Sequence, residues 1–249
     1  MSIVRRAQPW LGTLVSIDIA DAADGALCAR AFTAAFAAVG RVHRAMSVQD
    51  RASDIARLNA AACGDSIVCD PWTIEVMRIA SRLHAATGGM FDVALGTGRG
   101  PTYRIADARS VIKLDGHSRI DLGGIGKGYA VDRAVAALRA CGIRCGLVNA
   151  GGDLRAFGRG AWPIVVRGGS SLALEHGAIA TSQYCDGRSP YRNDALVLPS
   201  TCSVHRLDGS VTVAAPRCVL ADALTKVVAL SGDASHPLLH RVGGRAWLQ

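Results

Sequence analysis

Residues Ile120 to Gly158 read IDLGGIGKGYAVDRAVAALRACGIRCGLVNAGGDLRAFG. A short apolar start ends in Asp121, the glycines Gly123, Gly124 and Gly126 let backbone approach a ligand closely, and Lys127 opens a helical pattern that runs to about Cys141. Gly142 stops it. Strand-like segments at Leu147 to Ala150 and Leu154 to Phe157 follow, joined by Asn149-Ala150-Gly151-Gly152-Asp153. At the first turn free N–H groups, a helix dipole and the Lys127 ammonium converge as a phosphate requires. An ordinary glycine turn before a helix has the same letters, and neither GxxxxGK[ST] nor GxGxxG is present. The second turn brings backbone amides where a flat ring can meet them, and a tight hairpin fits it equally well.

Outward from this stretch, Leu14 to Ala20 alternates as a strand does and Asp24 through Ala45 carries helical spacing. A second helix is marked by Asp70 as N-cap, Pro71 in the first turn, the apolar Ile74, Met77, Ile79 and Leu83, and a Gly88-Gly89 stop. Asp92 lies just beyond, where a plain helix end over a buried Phe91 is the alternative to a ligand contact. Later strands are expected at 164–166, 172–180, 196–198 and 211–215, with a last helix from about Leu220 to Leu230. Helices early and strands clustered late predict an α+β or mixed α/β architecture, not a regular doubly wound sheet. No repeat or linker divides residues 1–249, so one domain is expected.

Half of the 249 residues are hydrophobic, ample for a buried core. The Ala-rich run from Ala31 to Val39 falls short of the roughly 20 apolar residues of a membrane helix and is flanked by Arg30 and Arg41, so no membrane insertion is expected. Arg5 and Arg6 are followed at once by Ala7, Gln8, Pro9 and Trp10, with no apolar leader, which points to the cytoplasm. Eight cysteines form no CxxC pair and read as buried free thiols before a metal cluster. The net charge of +8 comes from scattered arginines with few aromatics, which argues against nucleic acid; an anionic ligand such as a diphosphate accounts for part of it.

These segments, with others in the same order, resemble the FAD:protein FMN transferase (ApbE) family over nearly the whole chain. Leu11-Gly12-Thr13 resembles the family's MGT strand, Met46 to Asn59 its MSxYxxxSEISRLN segment, and Thr87 to Asp92 its TGGxFD. Ile120 to Asp132 resembles IDLGGIAKGYAVD, Asn149 to Asp153 is NAGGD, Ala180 to Gln183 resembles ATSG, and Ser210 to Lys226 the SVTV-to-ADALAT end. The resemblance implies a mixed α/β flavin transferase fold and Mg²⁺-dependent transfer of FMN from FAD to a Thr or Ser of an acceptor flavoprotein. It implies FAD contacts at Leu11, Met90, Phe91, Asp92, Asp121, Lys127, Gly151, Gly152, Asp153 and Val197. It also implies magnesium ligands at the Gly124 carbonyl, Asp222 and, one residue from the family's position, Thr225.

The departures from that pattern fall on the chemistry. The family's metal-binding Thr is Lys226 here, and an ammonium cannot ligate Mg²⁺. The segment that supplies the family's proposed base aligns with Ala195 to Cys202, without its His or Asp, and no catalytic residue is assigned; His205 is the nearest imidazole. The family's early aromatic is Gln49, and its Ser-Gly pair is Ser182-Gln183. Three readings stand: a working flavin transferase, a catalytically degenerate protein that binds or delivers FAD, or an interaction module that keeps the fold without the ligand, which Gln49 and a short segment between Asp92 and Asp121 favour. In the second, Lys226 places positive charge where Mg²⁺ normally sits; alternatively it points to solvent.

Overall fold

The computed structural model describes residues 3–21, 24–95, 101–165, 171–184, 196–197, 204–205 and 209–249. Strands β1 (Val4–Trp10) and β2 (Thr13–Ile19) lead into α1 (Gly25–Met46). Then come α2 (Asp54–Ala60), β3 (Ser66–Val68), α3 (Pro71–Ala86), and the short strands β4 (Ala94–Leu95), β5 (Tyr103–Ile105), β6 (Ser110–Lys113) and β7 (Arg119–Ile120). Helix α4 (Gly126–Ala140) precedes β8 (Gly146–Ala150), β9 (Asp153–Phe157), β10 (Trp162–Val165), β11 (Ser171–Leu174) and β12 (Gly177–Tyr184). The chain closes with β13 (Leu196–Val197), β14 (Val204–His205), β15 (Gly209–Ala215), α5 (Cys218–Ser231), α6 (Pro237–Arg241) and β16 (Arg245–Leu248).

Contacts group the chain into two compact units, one of Met1–Arg41, Lys127–Gln183 and Gly209–Gln249, the other of Val42–Gly126 and Tyr184–Asp208. In the first unit a seven-stranded sheet has the order β1-β2-β8-β9-β12-β15-β16. β1, β2, β8 and β9 are antiparallel in succession, as are β9 with β12 and β15 with β16. α4 buries Tyr129, Val131, Ala134, Val135 and Leu138. α5 is buried on nearly every side, from Cys218 and Val219 through Leu224 to Val228, so its polar residues Asp222 and Thr225 are carried into the interior with it. In the second unit α3 starts as read: the Asp70 side chain accepts the Trp72 N–H at 2.8 Å and Pro71 follows. It ends before Gly88 and Gly89, which adopt φ of 60° and 85° that side chains disfavour.

Two expectations are corrected. The span 172–180 is two strands, β11 and β12, broken at Glu175-His176, with Gly177 at φ 133° opening the second. Helix α1, at 22 residues, is long and apolar enough by length and composition to cross a membrane, because the apolar pattern extends past the Ala31 to Val39 run. Half of its most apolar window is buried, including Phe32, Ala35, Phe36 and Val39. Cys28, Cys69, Cys145 and Cys218 are buried free thiols, and burial pushes the Cys69 thiol up to about 12.

Candidate functional site

Two hairpin turns meet at one end of the first unit's sheet. Trp10 pairs with Thr13, leaving Leu11 and Gly12 as a two-residue loop with φ of 57° and 72°. Ala150 pairs with Asp153, leaving Gly151 and Gly152 at φ 63° and 101°. Positive φ at both loop positions gives the twist that tight hairpins prefer. Leu11 is a side-chain-bearing residue in that region, at a cost of roughly 1–2 kcal/mol. Because Val15 pairs with Ala150, the turns are neighbours, and a Cβ added to Gly151 would lie 2.6 Å from Thr13 Oγ1. The same test at Gly152 meets nothing nearer than Thr181 O at 3.9 Å, so this face of the turn is open.

Behind the second turn, four charged groups of α4, β9 and α5 gather. Lys127, in the first turn of α4, pairs with Asp153 Oδ2. The Gly128 N–H donates to Asp222 Oδ2 at 2.9 Å. Lys226 Nζ donates to Asp222 Oδ1 at 2.5 Å, the Asp222 carbonyl at 3.1 Å and Ser182 Oγ at 3.2 Å. The Thr225 hydroxyl donates to the Asp222 carbonyl at 2.7 Å and lies 2.7 Å from Ser182 Oγ. Asp153 and Asp222 are buried, at 1% and 0% exposure, whereas a third of Lys127 and a fifth of Lys226 reach solvent.

The two carboxylates are driven apart. Burial, then repulsion by Asp222, push Asp153 up from 3.8 to about 6. Burial acts on Asp222 in the same sense, but the ammonium of Lys226 and then that of Lys127 outweigh it and hold Asp222 below its ordinary value. Burial also opposes the charge on Lys127, yet Asp222 and Asp153 leave its pKa raised. With its folded value raised, Asp153 keeps a proton the unfolded chain has already released, so its contribution to stability is lost as pH rises from 3.8 to about 6. Asp153→Asn removes that titration. The stability difference, wild type minus variant, should fall across this window and level off above it in urea denaturation at stepped pH; a difference that climbs with pH contradicts the assignment.

A model of the ApbE family matches residues 11–244. The chain belongs to the ApbE family. A FAD:protein FMN transferase of Rhodobacter capsulatus is 28% identical over 240 residues, covering 79% of this chain and 46% of the relative, so the chain spans about half of that relative's length. The fold is that of ApbE structures. The apo flavinyl transferase ApbE of Pseudomonas stutzeri superposes with a TM-score of 0.84 at 22% identity, covering 99% of this chain and 92% of its own. The ApbE protein of Thermotoga maritima gives 0.83 at 24%, covering 99% and 94%.

Of the ApbE positions, Leu11, Lys127, Gly151, Gly152, Asp153, Asp222 and Thr225 lie in the first unit, where the two turns and the charged cluster gather them. Met90, Phe91, Asp92, Asp121 and Gly124 lie in the second. There Phe91 is buried and Met90 half-buried; Asp92 Oδ1 accepts the Ala94 N–H at 2.8 Å, and its other oxygen is 3.4 Å from His84 Nδ1. Asp121 Oδ1 accepts the Gly123 N–H at 2.7 Å, turning the carboxylate onto its own glycine loop. Val197 and His205 lie in the β13–β14 pair, their side chains outside the described residues, as are Ala195 and Leu198 altogether.

The donor set does not fit Mg²⁺ as it stands. Both Asp222 oxygens already accept hydrogen bonds, one from an ammonium, and the Thr225 hydroxyl is turned onto a backbone carbonyl. Among the described residues no three His, Cys, Asp or Glu side chains gather as a metal set. Ser182 and Gly128 are the members of the cluster that a motif reading underweights. Ser182 is 44 residues from Lys226, and only the strand-to-helix packing brings their side chains together.

Proposed function

We propose that this chain binds FAD and holds it without metal-assisted transfer of its FMN half. The observation that carries the reading is the Lys226 ammonium on Asp222 Oδ1, with the Gly128 amide on the other oxygen: a positive charge already stands against this carboxylate and repels the hard cation that diphosphate cleavage needs. Lys127, a third exposed at the start of α4, offers charge to an anionic group. The open face at Gly152 offers backbone to a flat ring. FAD as the ligand is carried over from the Rhodobacter relative, whose name gives FAD as its donor. We place the protein in the cytoplasm, a point for cell fractionation to test.

The placement of Asp222 and Thr225 in one buried cluster favours a second reading, Mg²⁺-dependent transfer to a Thr or Ser of an acceptor flavoprotein. Chromatography of FAD incubated with the protein, Mg²⁺ and hydroxyl-bearing peptides separates the two. Intact FAD and unmodified peptide are expected. Release of AMP with a peptide gaining the mass of FMN less one water, as a phosphoester on its hydroxyl, establishes the second reading instead.

A further inference from the structure

The oxygens around Lys226 are those a hard cation would choose: a carboxylate, a carbonyl and a hydroxyl, at 2.5, 3.1 and 3.2 Å from Nζ. Three acceptors match the three donors of an ammonium, so the group is surrounded by oxygens as an ion would be. Asp222 is wholly buried, and an unpaired carboxylate there is costly. Lys226 reaches it from one helical turn away, the spacing that brings side chains i and i+4 together. We propose that the Lys226 ammonium is a tethered cation filling an oxygen site that would otherwise take a divalent metal, so that the chain needs no metal at this position.

The consequence for the ligand rests on the FAD-binding reading above. With Lys127, Lys226, Asp153 and Asp222 all charged, the cluster is neutral. Removing Lys226 alone leaves an extra buried negative charge facing whatever anion approaches, and a divalent ion is then the simplest replacement. FAD binding by the unaltered chain is therefore metal-independent, and binding by Lys226→Thr is metal-dependent.

Two measurements test this separately. Mn²⁺ binding, followed by electron paramagnetic resonance on the protein without FAD, should show no saturable site in the wild type and one per chain in Lys226→Thr. A saturable wild-type site that Lys226→Thr leaves unchanged, or no gain in a Lys226→Thr protein whose circular dichroism is native, overturns the proposal. Should Lys226→Thr fail to fold, the wild-type arm alone decides, because a wild-type Mn²⁺ site weakened by Asp222→Asn refutes the tethered cation and its absence supports it. Calorimetry with FAD then gives the ligand arm. Chelator should change wild-type affinity less than about twofold and weaken Lys226→Thr on the order of 100-fold, as expected for one uncompensated charge at close range. Loss of wild-type FAD binding in chelator also overturns the proposal. Absence of FAD binding in every condition, alongside the expected Mn²⁺ result, rejects the FAD reading and leaves the tethered cation standing.

Discussion

Asp132→Ala is expected to lower folding stability by about 3–5 kcal/mol, the range for breaking a buried charged pair. Asp132 lies on α4 but acts as the cap of α5. Its Oδ1 accepts the Cys218 N–H at 2.9 Å and its Oδ2 the Val219 N–H at 3.1 Å, two donors that the first turn of a helix otherwise leaves unsatisfied. The residue at the N-cap position, Arg217, makes no side-chain cap hydrogen bond; its guanidinium Nε instead lies 3.6 Å from Asp132 Oδ2. Asp132 Oδ1 also takes Arg155 Nη1 at 2.7 Å, and the buried Nε of that guanidinium has no partner among the described residues, so removing the carboxylate strands a largely buried cation. Urea denaturation should show a lower midpoint with an unchanged slope. Asp132→Asn, which keeps one acceptor, should lose less. A change below about 1 kcal/mol for Asp132→Ala would show that water or neighbouring groups replace the cap.

Gly128→Ala is expected to be nearly as damaging, for steric reasons. A Cβ there would lie 2.3 Å from the Cys218 carbonyl oxygen and 2.8 Å from Asp222 Cβ, with the backbone of α5 as the obstacle. Backbone cannot rotate aside as a long side chain can, so the two helices must separate at the point where the Gly128 N–H meets Asp222 Oδ2. Overpacking of this kind costs about 1–3 kcal/mol and occasionally more, and the backbone contact puts this site at the upper end. The variant should also lose FAD affinity beyond what its lower stability explains, because Lys127 and Asp222 are displaced together. Wild-type stability and affinity in Gly128→Ala would mean that the helices are not locked at this position.

Much of the frame was legible where the signals are local. The Asp70-Pro71 start of α3 and the Gly142 stop of α4, at φ 91°, involve residues adjacent in the chain and were readable as such. The sequence pattern starts α5 at about Leu220, two residues late, because its cap comes from Asp132, 86 residues away, and no local letter announces it. β1 has no signal in the sequence pattern. Its residues VRRAQPW show no alternation, six of the seven being exposed, and its assignment comes from pairing with β2 alone.

The site divides in the same way. The four-residue spacing of Asp222 and Lys226 was visible in the sequence, and the structure closes that pair at 2.5 Å, which decides between a lysine turned inward and one pointing to solvent. The Lys127–Asp153 and Ser182–Lys226 contacts join β-strands to helices and had no sequence signal beyond the motifs themselves. The glycines of Asn149 to Asp153 proved to form the tight hairpin that was one of the two readings. That geometry leaves its open face available, so hairpin and ligand turn are compatible.

The claim that this ApbE-family chain binds FAD with its own cations is tested most directly by titrating FAD into the wild-type protein in the presence of chelator and following flavin fluorescence anisotropy. Saturable binding with a dissociation constant of about 1 μM or tighter is predicted, with FMN and AMP each binding more weakly. No change in anisotropy at about 50 μM protein, well above such a constant, would contradict it.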